Sequence, residues 1–204
     1  MREKIEILQI RKQRTLQNYS MHTPPIGKRE LLMLCSIMQL KQAEKGEMIL
    51  ASGNVSKGIL IIKQGFVRQF YYKKGIDVTE HFSARGDMVC CIESTFQQKP
   101  TELMIEALEP TTYYLIDYKD IQRICANSLP LQKLYSRTLE MMLVISQQKA
   151  NEMRFTSVRE RYQNFIKQYP EAAKRAKIRH IASYLLMTPE SLSRVRNKLV
   201  NEKD

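Results

Sequence analysis

"KIRHIASYLLMTPESLSRVRNKL", residues 177–199, carries two short apolar patterns on either side of a threonine and a proline. Ile181, Leu185, Met187, Leu192 and Val195 are the apolar positions, and Ala182 is small where two crossing helices must approach closely. That is helix-turn-helix spacing. Thr188 predicts an N-cap, Pro189 a first helical residue whose missing N–H would be unpaired anyway, and Glu190 favours the positive end of the helix dipole. With Leu192, Val195 and Leu199 turned inward, Glu190, Ser191, Ser193, Arg194, Asn197 and Lys198 are left facing outward. These are groove-reading types: arginine can bond a guanine edge bidentately and glutamate can accept from cytosine N4. Any amphipathic helical hairpin has the same periodicity, but here spacing, caps, arginine placement and local charge agree.

The charge around this stretch is uneven. The chain of 204 residues has a net charge of +12, and residues 156–204 hold 11 basic against 5 acidic side chains, half of the whole excess. A field of that sign draws polyanions through phosphate contacts. Charge alone also fits a solvated basic face.

Upstream, the periodicity changes twice. LQKLYSRTLEMMLVISQQKANEM predicts a long helix from residue 130 to 155, with Leu131, Leu134, Thr138, Met141 and Ile145 as a heptad seam and a second apolar face through Tyr135, Leu139 and Met142. Two apolar sides are hard to bury in a monomer, so the seam is expected to pair with a second copy; burial in a larger core is the other reading. Thr156 and Ser157, with Glu160 following, resemble a capping box that opens a new helix, which places a hinge near Phe155. Pro170 ends that helix.

Glycine marks the other half. All seven glycines lie within the first 86 residues. Between Gly46 and Gly86 they punctuate GILIIKQ, GFVRQFYYKK and GIDVTEHFSAR, which read as strands joined by tight turns. With further strands at Leu103–Leu108 and Thr112–Ile116, the expected fold class is α+β. It comprises an antiparallel β-roll of jelly-roll type over residues 1–129 with an N-terminal helical segment, a dimerisation helix and hinge over 130–155, and a helix-turn-helix domain over 156–204.

Composition excludes several classes. No apolar run approaches the length that spans a bilayer, and MREKIEILQIRKQR lacks the apolar core of a secretory signal, so a soluble cytoplasmic protein is expected. Cys35, Cys90, Cys91 and Cys125 have no CxxC spacing and are expected to be reduced, apolar-like thiols. His22, His81 and His180 are scattered, and no nucleophile–base pair or phosphate-gripping loop appears, so neither a metal nor catalysis is expected. A cupin-type metalloenzyme is therefore the weaker rival. A ligand-binding or scaffold roll with a basic protein-binding tail is the other.

With these residues in view, the chain resembles bacterial transcription regulators of the Crp/Fnr type. KGEMILASG and IKQGFVRQFY are similar to the family's cyclic-nucleotide-binding-like roll, residues 131–155 to its dimer helix and ESLSR to its recognition helix. The resemblance implies a winged-helix-like DNA-binding domain and a homodimer on a palindromic double-stranded operator, with recognition helices about 34 Å apart in successive major grooves. It also implies RNA polymerase as a partner. In the subgroup reading E-x-x-S-R, those three residues contact bases, which assigns Glu190, Ser193 and Arg194 to base reading. Thr188, Ser191, Arg196, Asn197, Lys198 and Arg179 are the expected backbone or auxiliary contacts.

Three departures limit the resemblance. Members that bind cyclic AMP hold its ribose and phosphate with a Gly-Glu-Leu segment and an Arg-Ser pair. Cys90, Cys91 and Ile92 stand at the first here, and Thr101 and Glu102 at the second, which leaves a degenerate pocket without a cation for the phosphate. Iron-sulfur members need N-terminal cysteines, and none precedes Cys35; for haem, a lone His81 in a strand is expected to be structural. No cofactor is expected. Finally, Leu186 falls where the turn between the two helices normally has glycine, and a wing after the recognition helix has no room before residue 204.

Overall fold

The computed structural model describes residues 1–9 and 25–201; His22 lies outside them. Helices α1 (residues 2–9) and α2 (Lys28–Ile37) precede eight strands: β1 (Met38–Ala43), β2 (Met48–Leu50), β3 (Gly58–Gln64), β4 (Phe66–Lys73), β5 (Ile76–Ala84), β6 (Met88–Val89), β7 (Met104–Ala107) and β8 (Thr111–Asp117). The short α3 (Ile92–Gln97) links β6 to β7. After β8 come α4 (Tyr118–Ala126), α5 (Leu129–Phe155), α6 (Val158–Gln168), α7 (Pro170–Arg175), α8 (Ile178–Tyr184) and α9 (Pro189–Asn201). The chain is thus α+β, with the roll, the long helix and the helical C-terminal module in the expected order.

The strands form two antiparallel four-stranded sheets, ordered β1-β8-β3-β6 and β2-β7-β4-β5. Each sheet mixes early and late strands, which is what rolls the chain into a sandwich. Two glycine positions make this geometry possible. A Cβ on Gly58 would lie 2.0 Å from the Ile116 carbonyl oxygen, so only glycine lets β3 start against β8. The β4–β5 hairpin turns on Lys74 (φ 52°) and Gly75 (φ 79°), the two left-handed residues that a type I′ turn requires.

Apolar residues fall into three layers. Between the sheets, Leu60, Ile62, Val67, Val89, Cys91 and Ile105 form the roll's interior. On the outer face of the first sheet, Ile59, Ile61, Tyr114 and Ile116 meet Ile7, Ile37, Ile121, Ile124 and Leu131 of the flanking helices. On the outer face of the second, Phe66, Phe82 and Ala84 join Tyr162, Phe165, Ala172, Ile181, Tyr184 and Leu192 of the C-terminal module. Helices therefore cover both sheets. This explains why β4 is buried from Phe66 to Phe70 without alternation, as a strand covered on both faces must be.

Helix α5 begins one residue before the expected start. Ser128 is its N-cap, accepting the Leu131 N–H, and Pro130 sits in its first turn, where an N–H is not needed. Of the seam residues, Leu131 is buried against the chain's own roll and Leu134 packs beside it. The Thr138 hydroxyl donates to the Leu134 carbonyl at 2.9 Å, Met141 is buried and Ile145 is half-buried. Leu143 and Val144 are exposed instead. The helix ends at Phe155, and Ser157 opens α6 through the capping box: its hydroxyl accepts the Glu160 N–H at 3.3 Å while the Glu160 carboxylate accepts the Ser157 N–H at 2.7 Å.

All four cysteines are free thiols. Among the described residues, no helix is long and apolar enough to cross a membrane, and no three His, Cys, Asp or Glu side chains cluster as metal ligands. The described part of the C-terminal module contains no strand, so no wing is found there.

Candidate nucleic-acid interface

Helices α8 and α9 are joined by a turn of fixed geometry. The Leu186 N–H donates to the Ser183 carbonyl at 3.1 Å and the Met187 N–H to the Ala182 carbonyl at 3.0 Å. This paired pattern ends a helix on a left-handed residue, and Leu186 adopts φ 55°. Leu186 thus takes the left-handed backbone that glycine normally supplies at this turn. Its side chain is 62% exposed and makes little of the core.

On the far side of the turn the Thr188 hydroxyl accepts the Ser191 N–H at 3.2 Å, which makes it the cap of α9. Glu190 follows Pro189 in the first turn. A hydrogen bond from its own backbone N–H, then one from the Thr188 hydroxyl and the nearby Arg194 charge, hold its carboxyl below the usual range.

Burial divides α9 as the periodicity requires. Leu192 is fully buried, and Val195 and Leu199 pack against the same core. Thr188, Glu190, Arg194, Arg196, Asn197 and Lys198 are exposed, whereas Ser191 and Ser193 are half-buried. Glu190 and Arg194 are four residues apart and share one face, with Ser193 alongside. The resulting surface offers a carboxylate, hydroxyls and a guanidinium on a rod of the diameter that a major groove admits. Arg179 lies on α8, exposed, with its Nε–H donating to His180 Nε2 at 3.2 Å.

The module does not stand apart from the roll. Helix α8 packs on β5, and the Ser183 Oγ accepts the Thr79 N–H at 3.1 Å while lying 3.0 Å from the Thr79 hydroxyl and 3.1 Å from the His180 carbonyl. Beside this contact Arg68 is buried, its guanidinium paired with Asp77 at 2.7 Å and Glu106 at 2.8 Å and lying over the Phe70 ring. Phe82 lies at the centre of an aromatic group with Phe66, Phe165, Tyr169 and Tyr184, at centroid distances of 5.7–6.2 Å. Arg175 of α7 pairs with Glu109 at 2.8 Å. From α5, Lys149 donates to the Glu80 carbonyl and, at 2.8 Å, to its carboxylate.

Sequence reasoning missed these residues. The available signal in FVRQFYY was the pairing of neighbours, Phe66 with Val67 and Phe70 with Tyr71, on either side of Arg68 and Gln69, which does not alternate as a strand with one covered face would.

Where roll, α5 and C-terminal module meet there is an open cleft of about 910 Å³. Met141, Met142 and Met153 of α5 line one side, and Tyr71, Glu80 and His81 of the roll the other. His81 Nδ1 lies 3.3 Å from the Tyr169 hydroxyl; burial, then the Lys149 charge, lowers its pKa.

Of the five degenerate-pocket positions, Cys90 and Ile92 line this cleft. Cys90 follows β6, Cys91 precedes α3 without supplying a side-chain cap, and Ile92 begins that helix. Burial pushes the Cys91 thiol up to about 12, so it stays protonated. Thr101 is half-buried, its hydroxyl accepting the Leu103 N–H at 2.9 Å, and Glu102 is exposed. The hydroxyls around α3 are already matched: Thr95 to Ser56 at 2.7 Å, the Ser56 N–H to Ser94 at 2.9 Å and Ser94 to the Lys99 carbonyl at 2.6 Å.

Comparison with known proteins places this architecture. Residues 40–128 match the sequence model of the cyclic nucleotide-binding domain. No curated protein gives a significant sequence match. Among solved structures, FixK2 from Bradyrhizobium japonicum shares 18% identity at a TM-score of 0.68, over 82% of this chain and 86% of that one. CLP of Xanthomonas campestris, described as a c-di-GMP responsive global regulator, shares 14% at a TM-score of 0.63, over 87% and 93%. A protein from Eubacterium rectale described within the crp/fnr family of transcriptional regulators shares 19% at 0.57, over 87% and 85%. Residues 40–128 thus resemble a cyclic nucleotide-binding domain, set in a chain that shares its fold with solved regulators of the Crp/Fnr type.

Proposed function

We propose that this protein is a sequence-specific DNA-binding transcription regulator that acts as a homodimer on a palindromic operator, by binding rather than by catalysis. One observation carries the reading: α9 is capped, buried along Leu192, Val195 and Leu199, and presents Glu190 and Arg194 to solvent on one face. Glu190, Ser193 and Arg194 read base edges. Thr188, Ser191, Arg196, Asn197, Lys198 and Arg179 contact the backbone or support those that do. Contact with RNA polymerase follows from the same role.

The second copy is received along α5. Leu131, Leu134 and the buried Met141 are already used inside the chain, so Thr138 and Ile145 stand with the exposed Leu143 and Val144 as the surface for it. Covering apolar side chains that water otherwise meets is the driving force.

The effector is not cyclic AMP. Around α3 the hydroxyls are satisfied by one another, Cys91 is a neutral thiol, and no cation stands at the positions that would meet a cyclic phosphate. An anion placed there would be buried without a partner. The cleft's methionines and aromatics favour a neutral or apolar molecule, or none.

Selection of bound duplexes from a random-sequence pool tests the reading. A palindromic consensus with half-sites one helical turn apart is the expected result. Failure to retain any duplex at low salt would instead favour a ligand-binding or scaffold module with a protein-binding tail.

A further inference from the structure

We infer that Ser183 and Lys149 are positioning residues that dock the helices on the two sides of the hinge onto one bulge of β5, Ser183 holding α8 and Lys149 holding α5 while lying over the Tyr184 ring of α8, and so fix how α9 is presented. The second half of that statement rests on the DNA-binding reading; the lock itself does not.

Strand β5 is the outer strand of its sheet, which leaves one row of its backbone groups without a strand partner. Its pairing with β4 is irregular at one place: Gln69 faces His81 and Phe70 faces Thr79, so Glu80 is the extra residue of a bulge. At this bulge the two missing backbone partners are replaced by side chains. Ser183 of α8 accepts the Thr79 N–H, and Lys149 of α5 donates to the Glu80 carbonyl and carboxylate. One of these helices precedes the break at residues 155–157 and the other follows it. Two neighbouring residues of a single strand therefore tie together the helices on both sides of the hinge. Rotation of the C-terminal module about Phe155 must break the Ser183 contact, while the Lys149 contact stays with α5.

The tie is also next to the cleft. Thr79, Glu80, His81 and Lys149 all line it, so a molecule entering there meets the bulge itself. Coupling between distant sites requires such an element with two discrete arrangements, and docked against undocked at β5 supplies one.

Hydrogen–deuterium exchange on the full chain tests the lock without DNA. Ser183→Ala removes the acceptor with minimal loss of volume, and Lys149→Met removes the donor while keeping the stem. Each is expected to raise exchange at least tenfold in peptides covering Thr79–Glu80 and α8–α9, with β1–β3 and α2 unchanged; Lys149→Arg is expected to restore most of the protection. Unchanged exchange in those peptides, or an equal rise throughout the chain, would overturn the lock. In parallel, the ratio of affinities for the selected duplex and a random one is expected to change at least threefold in both variants. Faster local exchange with an unchanged ratio would overturn the role in presenting α9, whereas absence of all DNA binding would remove the proposed function and leave the exchange result to judge the lock.

Discussion

The Met187 N–H reaches back to the Ala182 carbonyl at 3.0 Å, closing a helix end that forces the intervening Leu186 to φ 55°. A leucine in this region costs about 1–2 kcal/mol, and its exposed side chain returns little through packing. Leu186→Gly relieves that strain and adds about 0.5–1 kcal/mol of unfolded-state entropy, so a net gain of about 0.5–1 kcal/mol is expected. The thermal midpoint should rise by about 1–4 °C. A fall would show that the leucine side chain supports the turn.

Base reading and phosphate contact separate in binding isotherms. Arg194→Ala should weaken binding to the selected duplex by about 1–3 kcal/mol and relax one base preference. Arg196→Ala and Lys198→Ala should weaken all duplexes alike and reduce the salt dependence of affinity. Equal losses on random DNA for all three would refute base reading by Arg194.

Arg68 is 4% exposed and neutralises two carboxylates, Asp77 and Glu106, that are themselves partly covered. Arg68→Met leaves both without their cation. Breaking a buried pair by removing one partner costs about 3–5 kcal/mol, and the partial exposure of Asp77 lowers the expectation to about 2–4 kcal/mol. Urea unfolding should show it as a lower midpoint, with part of the loss recovered when Asp77→Asn and Glu106→Gln are added.

His180 gives a pH dependence of definite sign. The ring is 3% exposed, its Nδ1 has no hydrogen-bond partner among the described residues, and burial, then the Arg68 charge, lowers its pKa from 6.5 to about 4. Between those values the unfolded chain binds a proton that the folded chain refuses. The neutral ring's contribution is therefore complete above pH 6.5 and declines as pH falls towards 4, by about 2–3 kcal/mol in total. His180→Phe should flatten this part of a stability–pH curve, with a remainder from His81, whose pKa is lowered in the same direction. An unchanged slope would show that the His180 pKa does not differ between the folded and unfolded chain.

The strands were legible because glycine and β-branched residues mark them: GILIIKQ is β3 residue for residue, and GFVRQFYYKK and GIDVTEHFSAR hold β4 and β5. Thr188, Ser157 and Leu186 were legible because caps and left-handed turns are local chemistry, decided within a few residues of the chain. The docking of α8 on β5 was not. It depends on which face of β4 and β5 meets which helix, and Thr79 and Ser183 are separated by 104 residues without any local pattern that links them. For the same reason Leu131 and Leu134 read as a seam for another copy; a heptad records an apolar face but not what covers it.

Phe66 and Phe82 owe their burial to helices that begin only after residue 155. A fragment cut at that break would display two aromatic rings beside an uncapped strand margin, a surface prone to self-association. The roll is thus not a detachable part, and attempts to produce it alone should yield aggregates or a strand-swapped oligomer unless the C-terminal helices are supplied with it.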